Sequence, residues 1–281
     1  MTRAMTSLLN SSRMKRLFIL LILAAATFSV AAAQQDEPYY DSPSKEKLPL
    51  FGLFRETYAA TGFSPMHDLN KHNADVRIQL SIALRLWRVS EDVDLLGTYT
   101  QKCIWNAYDV SSPLLESTYN PTVAVAWYLN PKVDMIFEFG HESNGKIDND
   151  SRSINLFSAQ AIYTPQKNLQ FGGKVWYGWW ERTDYHKKYI RYRGIMQGWA
   201  TVRTSDNRLS FTASVNPSHS FRNYNWEFSA YYRLSNKGSF LPSLFVQYRM
   251  GYVETLLEYW RYQSFIRAGF ALELKHPTGI H

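Results

Sequence analysis

From Val76 to Leu86, apolar Val76, Ile78, Leu80, Ile82, Leu84 and Leu86 alternate with Arg77, Gln79, Ser81, Ala83 and Arg85. A period of two is the mark of a strand with one greasy and one polar face. The pattern recurs at Tyr224, Trp226, Phe228, Ala230 and Tyr232, at Leu244, Val246, Tyr248 and Met250, and at Ile266, Ala268, Phe270 and Leu272. It also fits Ile190, Tyr192, Met196 and Val202, set against Arg191, Arg193, Gln197 and Arg203. Twelve strands follow, at 52–61, 75–89, 93–106, 118–129, 132–143, 151–164, 168–180, 189–203, 207–216, 223–234, 242–252 and 262–274. The connections alternate between short (90–92, 130–131, 165–167, 204–206) and longer (62–74, 107–117, 144–150, 181–188, 253–261).

A soluble sandwich also alternates. Two features favour a barrel that crosses a membrane: apolar faces long enough for a tilted spanning strand, and no helical pattern between segments. The predicted fold is therefore an all-β, twelve-stranded antiparallel transmembrane β-barrel, with short turns and both termini on the periplasmic side. The polar face carries Arg77, Arg85, Glu138, Arg191, Arg193, Glu227, Arg233, Arg249, Arg267 and Glu273. Such groups fill a small lumen by pairing, which predicts a plugged interior rather than a wide pore.

Composition refines the picture. The chain has 281 residues, and 16% are aromatic, as the girdles of such a barrel require. Lys15 and Arg16, an apolar run from Leu17 to Val30 and the triplet Ala31–Ala33 read as a cleaved signal peptide over 1–33. An uncleaved anchor is the alternative, but the run is short for a span. A polar lead-in follows over 34–50, and the barrel over 51–281. The signal holds four of the 31 basic residues and no acid, so the rest has 27 against 24 and the overall +7 drops to +3. Nothing in that balance calls for a nucleic-acid partner. With a single cysteine, Cys103, no internal disulfide is available.

The candidate chemistry lies in FEFGHESNGKIDNDSRSIN, Phe137–Asn155. Phe137, Phe139, His141 and Ser143 share one strand face, the apolar one, at the end that leads into a longer loop. An imidazole two residues from a serine can act as its general base. On the returning strand Asn155 shares parity with Phe157, Ala159 and Ala161, so it can lie beside His141 and orient the ring. A neutral amide suits a lipid-facing position better than a carboxylate, which would be costly to desolvate. An H-x-S triplet alone is a weak signal; the shared face and the matching asparagine strengthen it.

YTQKCIWN from Tyr99, SSP at 111–113, YNP at 119–121 and GHESNGKIDNDSRSIN from Gly140, with QLSIALRLWR and GYVETLLEYWRYQ, resemble the outer membrane phospholipase A family from about Leu50 to Leu274. The resemblance implies a calcium-dependent enzyme that hydrolyses acyl esters of phospholipids and lysophospholipids and is active as a homodimer in the outer membrane of a Gram-negative bacterium. It makes Ser143 the nucleophile, His141 the base and Asn155 the third member, with the oxyanion at the backbone of Asn144 and Gly145. It assigns Ca2+ to the Ser151 hydroxyl, the Lys146 carbonyl and the carbonyl of Ser111 of the partner subunit, with Asp148 tied to a second, single-chain calcium site. Read alone, Ser111 and Ser151 are ordinary turn residues. Gln101 matches a glutamine that supports the dimer, and its parity with Tyr99 and Trp105 puts it on the lipid side. Lys146, Ile154 and Cys103 depart from the usual arginine, tryptophan and serine, and KHPTGIH follows Leu274 where the family has a terminal aromatic. The rival readings are an outer-membrane channel and a structural barrel without hydrolase activity.

Overall fold

The computed structural model describes residues 50–179, 188–235, 237 and 240–274. The expected signal peptide, nearly all of the lead-in and the KHPTGIH extension lie outside the described residues. The strands are β1 (Phe51–Leu53), β2 (Thr57–Phe63), β3 (Ala74–Ser90), β4 (Val93–Trp105), β5 (Leu114–Asn130), β6 (Val133–Ser143), β7 (Ser153–Gln166), β8 (Leu169–Trp179), β9 (Met196–Arg203), β10 (Leu209–Pro217), β11 (Tyr224–Arg233), β12 (Phe240–Gly251) and β13 (Gln263–Leu274). Neighbours in sequence pair antiparallel, and β13 returns to β2 to close the sheet. Closure leaves no free edge, which a sheet in hydrocarbon requires.

Both β1 and β2 pair with β3, as two parts of one barrel strand, so the barrel has twelve strands as the alternation predicts. The predicted strand 52–61 is, however, broken at Phe54–Glu56. Leu53 stands opposite Ile82 and Tyr58 opposite Gln79, so two extra residues are accommodated there. The break turns Phe54 into an apolar cluster with Ala83, Leu96, Ala124, Ile136 and Trp199 inside the short-turn end. It also sends Arg55 to Glu138 and Glu56 to the Tyr231 hydroxyl.

A second correction concerns 189–203. Only Met196–Arg203 is strand; Tyr189–Arg193 forms a one-turn helix, α1, ended by Gly194 at φ 74°. Arg191 is exposed on it rather than inside the barrel. The alternation of Ile190 and Tyr192 with arginines is real, but here it has only one turn to act on. Tyr189 packs with Ile154, Leu256 and Tyr259, which binds the helix to the loop between β12 and β13.

Outside, Leu80, Leu84, Val123, Phe139, Phe157, Val175, Phe211, Val246 and Phe270 stay exposed, a band suited to lipid contact. Inside, charges pair. Arg267 is fully buried and grips Asp75 with Nε at 2.8 Å and Nη2 at 2.6 Å, while Nη2 also reaches Glu254 at 2.9 Å. Glu254 belongs to the β12–β13 loop, which dips into the long-loop end and brings the Leu256 and Leu257 amides onto Glu116. Burial would raise the Glu254 carboxyl, but Arg249, Arg77, Arg267 and Lys102 hold it well below the usual carboxylate range. The expected filling of the lumen by paired charges is what the structure contains, with a remaining cavity of about 260 Å³ between Arg55, Lys102, Glu138 and Glu227.

Candidate active site

His141 and Ser143 end β6 on its outward face, and β7 brings Asn155 directly opposite His141. The ring Nδ1 and the Asn155 Oδ1 are 2.9 Å apart. An amide oxygen only accepts, so Nδ1 carries the proton and donates, and Nε2 is left as the basic nitrogen. Two residues along a strand span about 6.6 Å, a reach that an imidazole and a serine side chain can bridge from the same face. Between them Glu142 points into the lumen, where Arg193 of α1 holds it at 2.7 Å and also donates to the Tyr189 hydroxyl at 2.7 Å. The active strand end is thus fastened from inside by a residue that faces away from the chemistry.

The membrane side of this site is aromatic. Phe139 stands opposite Phe157, and Phe157 opposite Tyr177, one step down the same outer wall. Trp179 lies beside Asn155 and stacks on Phe139 at 5.7 Å between centroids. The apron is an apolar surface that continues the lipid-facing wall just below His141.

The loop from Asn144 to Arg152 is held by its own polar groups. The Asn144 side chain donates to the Asp150 carbonyl at 2.9 Å and accepts from the Arg152 amide at 2.9 Å. The Asn144 amide is already spent on the Arg152 carbonyl at 3.0 Å. Of the two backbone amides expected at the oxyanion, Gly145 is the one that has no partner among the described residues. Gly145 sits at φ 65°, and a Cβ there would approach Tyr119 Cε2 at 2.9 Å. Gly145→Ala is expected to cost about 1–2 kcal/mol from the left-handed backbone alone. On the hydrolytic role that the resemblance implies, it should also lower the rate by shifting the amide; equal rates in a fatty-acid release assay would show that the loop absorbs the methyl group.

Lys146, Asp148 and Ser151 lie together in this loop, around a 3-10 turn at Asp148–Asp150. Among the described residues no three His, Cys, Asp or Glu side chains form a metal cluster. The available donors are instead carbonyls, a hydroxyl and the carboxylates of Asp148 and Asp150, the hard oxygens that calcium prefers. The carbonyls of Ile147, Asp148, Asn149, Asp150 and Ser151 each accept a hydrogen bond from the loop's own amides or side chains. Among the described residues the Lys146 carbonyl accepts none, and its ammonium is turned away to the Leu115 carbonyl at 3.4 Å. The loop thus fits a cation at Lys146 O. Ser111 is exposed in the separate loop after β4.

Gln101 occupies the outward face of β4, opposite Tyr119, which in turn stands opposite Ser143. It accepts from the Tyr99 hydroxyl at 3.0 Å and donates to the Ser117 hydroxyl at 3.1 Å. Gln101 thus stands on the outward face that its parity predicts; Ser117 and Tyr119, its neighbours there, share that parity, which does not by itself single them out. The contacts of the Asn144 side chain and Arg152 depend on loop folding that period-two patterning does not describe.

A family model described as phospholipase A1 matches residues 34–272. A phospholipase A1 from Proteus vulgaris is 27% identical over 220 residues, covering 72% of this chain and 71% of that protein. Among solved structures, an outer membrane phospholipase dimer with bound calcium from Salmonella typhi superposes with a TM-score of 0.70 at 23% identity, over 83% of this chain and 96% of that one. The outer membrane phospholipase A of Escherichia coli gives a TM-score of 0.69 at 24% identity, over 79% and 98%.

Proposed function

The chain belongs to the phospholipase A1 family, and from that membership we propose that it is a calcium-dependent phospholipase of the outer membrane that works through Ser143, His141 and Asn155 at the outer leaflet. The observation that carries this reading is the 2.9 Å bond between His141 and Asn155 on the lipid-facing wall, one step from Ser143. Histidine and asparagine are poor lipid-facing decoration, and a channel has no use for them there.

In the proposed reaction, Ser143 Oγ attacks the ester carbonyl carbon while His141 Nε2 takes its proton. Asn155 holds the ring and favours the imidazolium as it forms. The Gly145 amide faces the oxyanion. Collapse breaks the bond to the glycerol oxygen, which leaves with the proton from His141. A water then gives its proton to His141 and adds to the acyl-serine; the bond to Ser143 Oγ breaks, His141 returns the proton to that oxygen, and the fatty acid leaves. The Lys146 carbonyl, the Ser151 hydroxyl and the carbonyl of Ser111 of the partner subunit would hold calcium, with Asp148 serving the single chain. When bound, calcium polarises the ester carbonyl and stabilises its negative charge.

A ligand contributed by a second subunit explains why a homodimer would be the active form. Gln101 suits the contact, since polar side chains on lipid-facing strands favour association in a membrane. Fatty-acid release from phospholipid in mixed micelles tests the proposal. Release should cease with a calcium chelator and return when calcium is restored. Full activity in chelator would remove calcium from the reading, and ion conductance without hydrolysis would favour the channel.

A further inference from the structure

The pairing of β5 with β6 runs from the short turn as far as Thr122 opposite Gly140, then skips to Tyr119 opposite Ser143. Continuing the register puts Pro121 opposite His141. Proline has no N–H, so the ladder bond that the His141 carbonyl would accept from β5 cannot form. A carbonyl left unpaired at the base would give that residue freedom at the position where its geometry matters most.

The missing donor is replaced from inside the barrel. Asn120 is buried in the lumen, and its Nδ2 donates to the His141 carbonyl at 3.0 Å. Its Oδ1 accepts from Arg55 Nη1 at 2.8 Å. A guanidinium only donates and a carbonyl only accepts, so the two partners fix the orientation of the amide. Arg55 is in turn paired with Glu138 at 2.6 Å, and Glu138 with Lys174 at 2.7 Å. The break between β1 and β2 is what brings Arg55 to this chain of contacts.

We propose that Asn120 is a positioning residue for His141, supplying the hydrogen bond that Pro121 denies the strand, with Arg55 locking its amide in the donating orientation. The inference rests on the reading of His141 as the base. It links the lumen to the geometry of the outer wall: the ring that meets Asn155 is carried on a backbone pinned from the opposite side of the sheet.

Asn120→Asp is the direct test. The carboxylate keeps the Arg55 contact but sets an acceptor against the His141 carbonyl, so the strand end must shift. Because a displacement near 1 Å can cost about 100-fold, kcat on micellar phospholipid is expected to fall by about 10- to 100-fold with KM little changed. Asn120→Ala should show a similar loss. In that background Pro121→Ala returns a backbone N–H to β5, and the double variant should recover most of the lost kcat, an effect that a general loss of stability would not produce. Wild-type kcat in Asn120→Asp would overturn the proposal, as would failure of a folded double variant to recover. If Asn120→Asp does not fold, the alanine pair decides alone. Ser143→Ala, assayed alongside, separates the two readings: continued hydrolysis there sinks the serine mechanism, whereas a dead Ser143→Ala beside a fully active Asn120→Asp sinks only the role of Asn120.

Discussion

Ser143→Ala is expected to remove phospholipid hydrolysis, lowering kcat by at least about 10^4-fold, the scale seen when a serine nucleophile is deleted. The loss should be of rate and not of binding, because the aromatic apron of Phe139, Phe157 and Trp179 that would face the acyl chain is untouched. The barrel should also be unaffected, since Ser143 is only half-buried at a strand end and its backbone pairing with Tyr119 and Ser153 does not involve the hydroxyl. Titrated fatty-acid release, together with the temperature at which the folded band is lost on a gel, checks both parts. Release at a wild-type rate would mean that another group attacks the ester. An inactive protein that has also lost its folded band would say nothing for the nucleophile and would contradict the expected neutrality of the substitution.

The largest structural effect is expected at Arg267, 124 positions further along the chain, counted from Ser143 to Arg267. Arg267→Met keeps much of the side-chain volume and removes the charge. Asp75 and Glu254 would then each lose a partner inside the barrel, where Arg267 has no solvent exposure. Breaking a buried ion pair by deleting one member costs about 3–5 kcal/mol, mostly from the charge left behind. The stem of Arg267 also lies against Phe265, with the guanidinium 4.2 Å from the ring centroid, an attraction that methionine does not reproduce. Urea unfolding in micelles, followed by tryptophan emission, measures the change. A midpoint equal to the wild type would show that Arg77 and Arg249 take over both carboxylates. The same substitution should loosen the β12–β13 loop, because Glu254 is its inward anchor.

Much of this barrel is readable from period-two alternation, because each strand must face lipid on one side and the lumen on the other. The two places where the reading fails have a common cause. Phe54–Glu56 leaves the strand so that Arg55 and Glu56 can reach Glu138 and Tyr231, partners 83 and 175 positions away. Tyr189–Arg193 coils so that Arg193 can reach Glu142 while Tyr189 packs on Tyr259. Contacts of that range leave no local periodicity. At the site, parity alone put His141, Ser143 and Asn155 on one face, and the structure brings His141 and Asn155 into contact there. Asn120 was hidden for the opposite reason: it lies on the polar face among ordinary lumenal residues, and its importance follows from what Pro121 lacks.

On the proposed reading, the reactive groups sit on the outer wall of a lumen filled by paired charges. Encounter is therefore a two-dimensional event, between a protein and the lipids that drift past it. Turnover should then follow how crowded the bilayer surface is with cleavable molecules, so diluting them with an inert detergent at constant total amount should slow the enzyme, while diluting the whole suspension with buffer should leave the rate per enzyme alone.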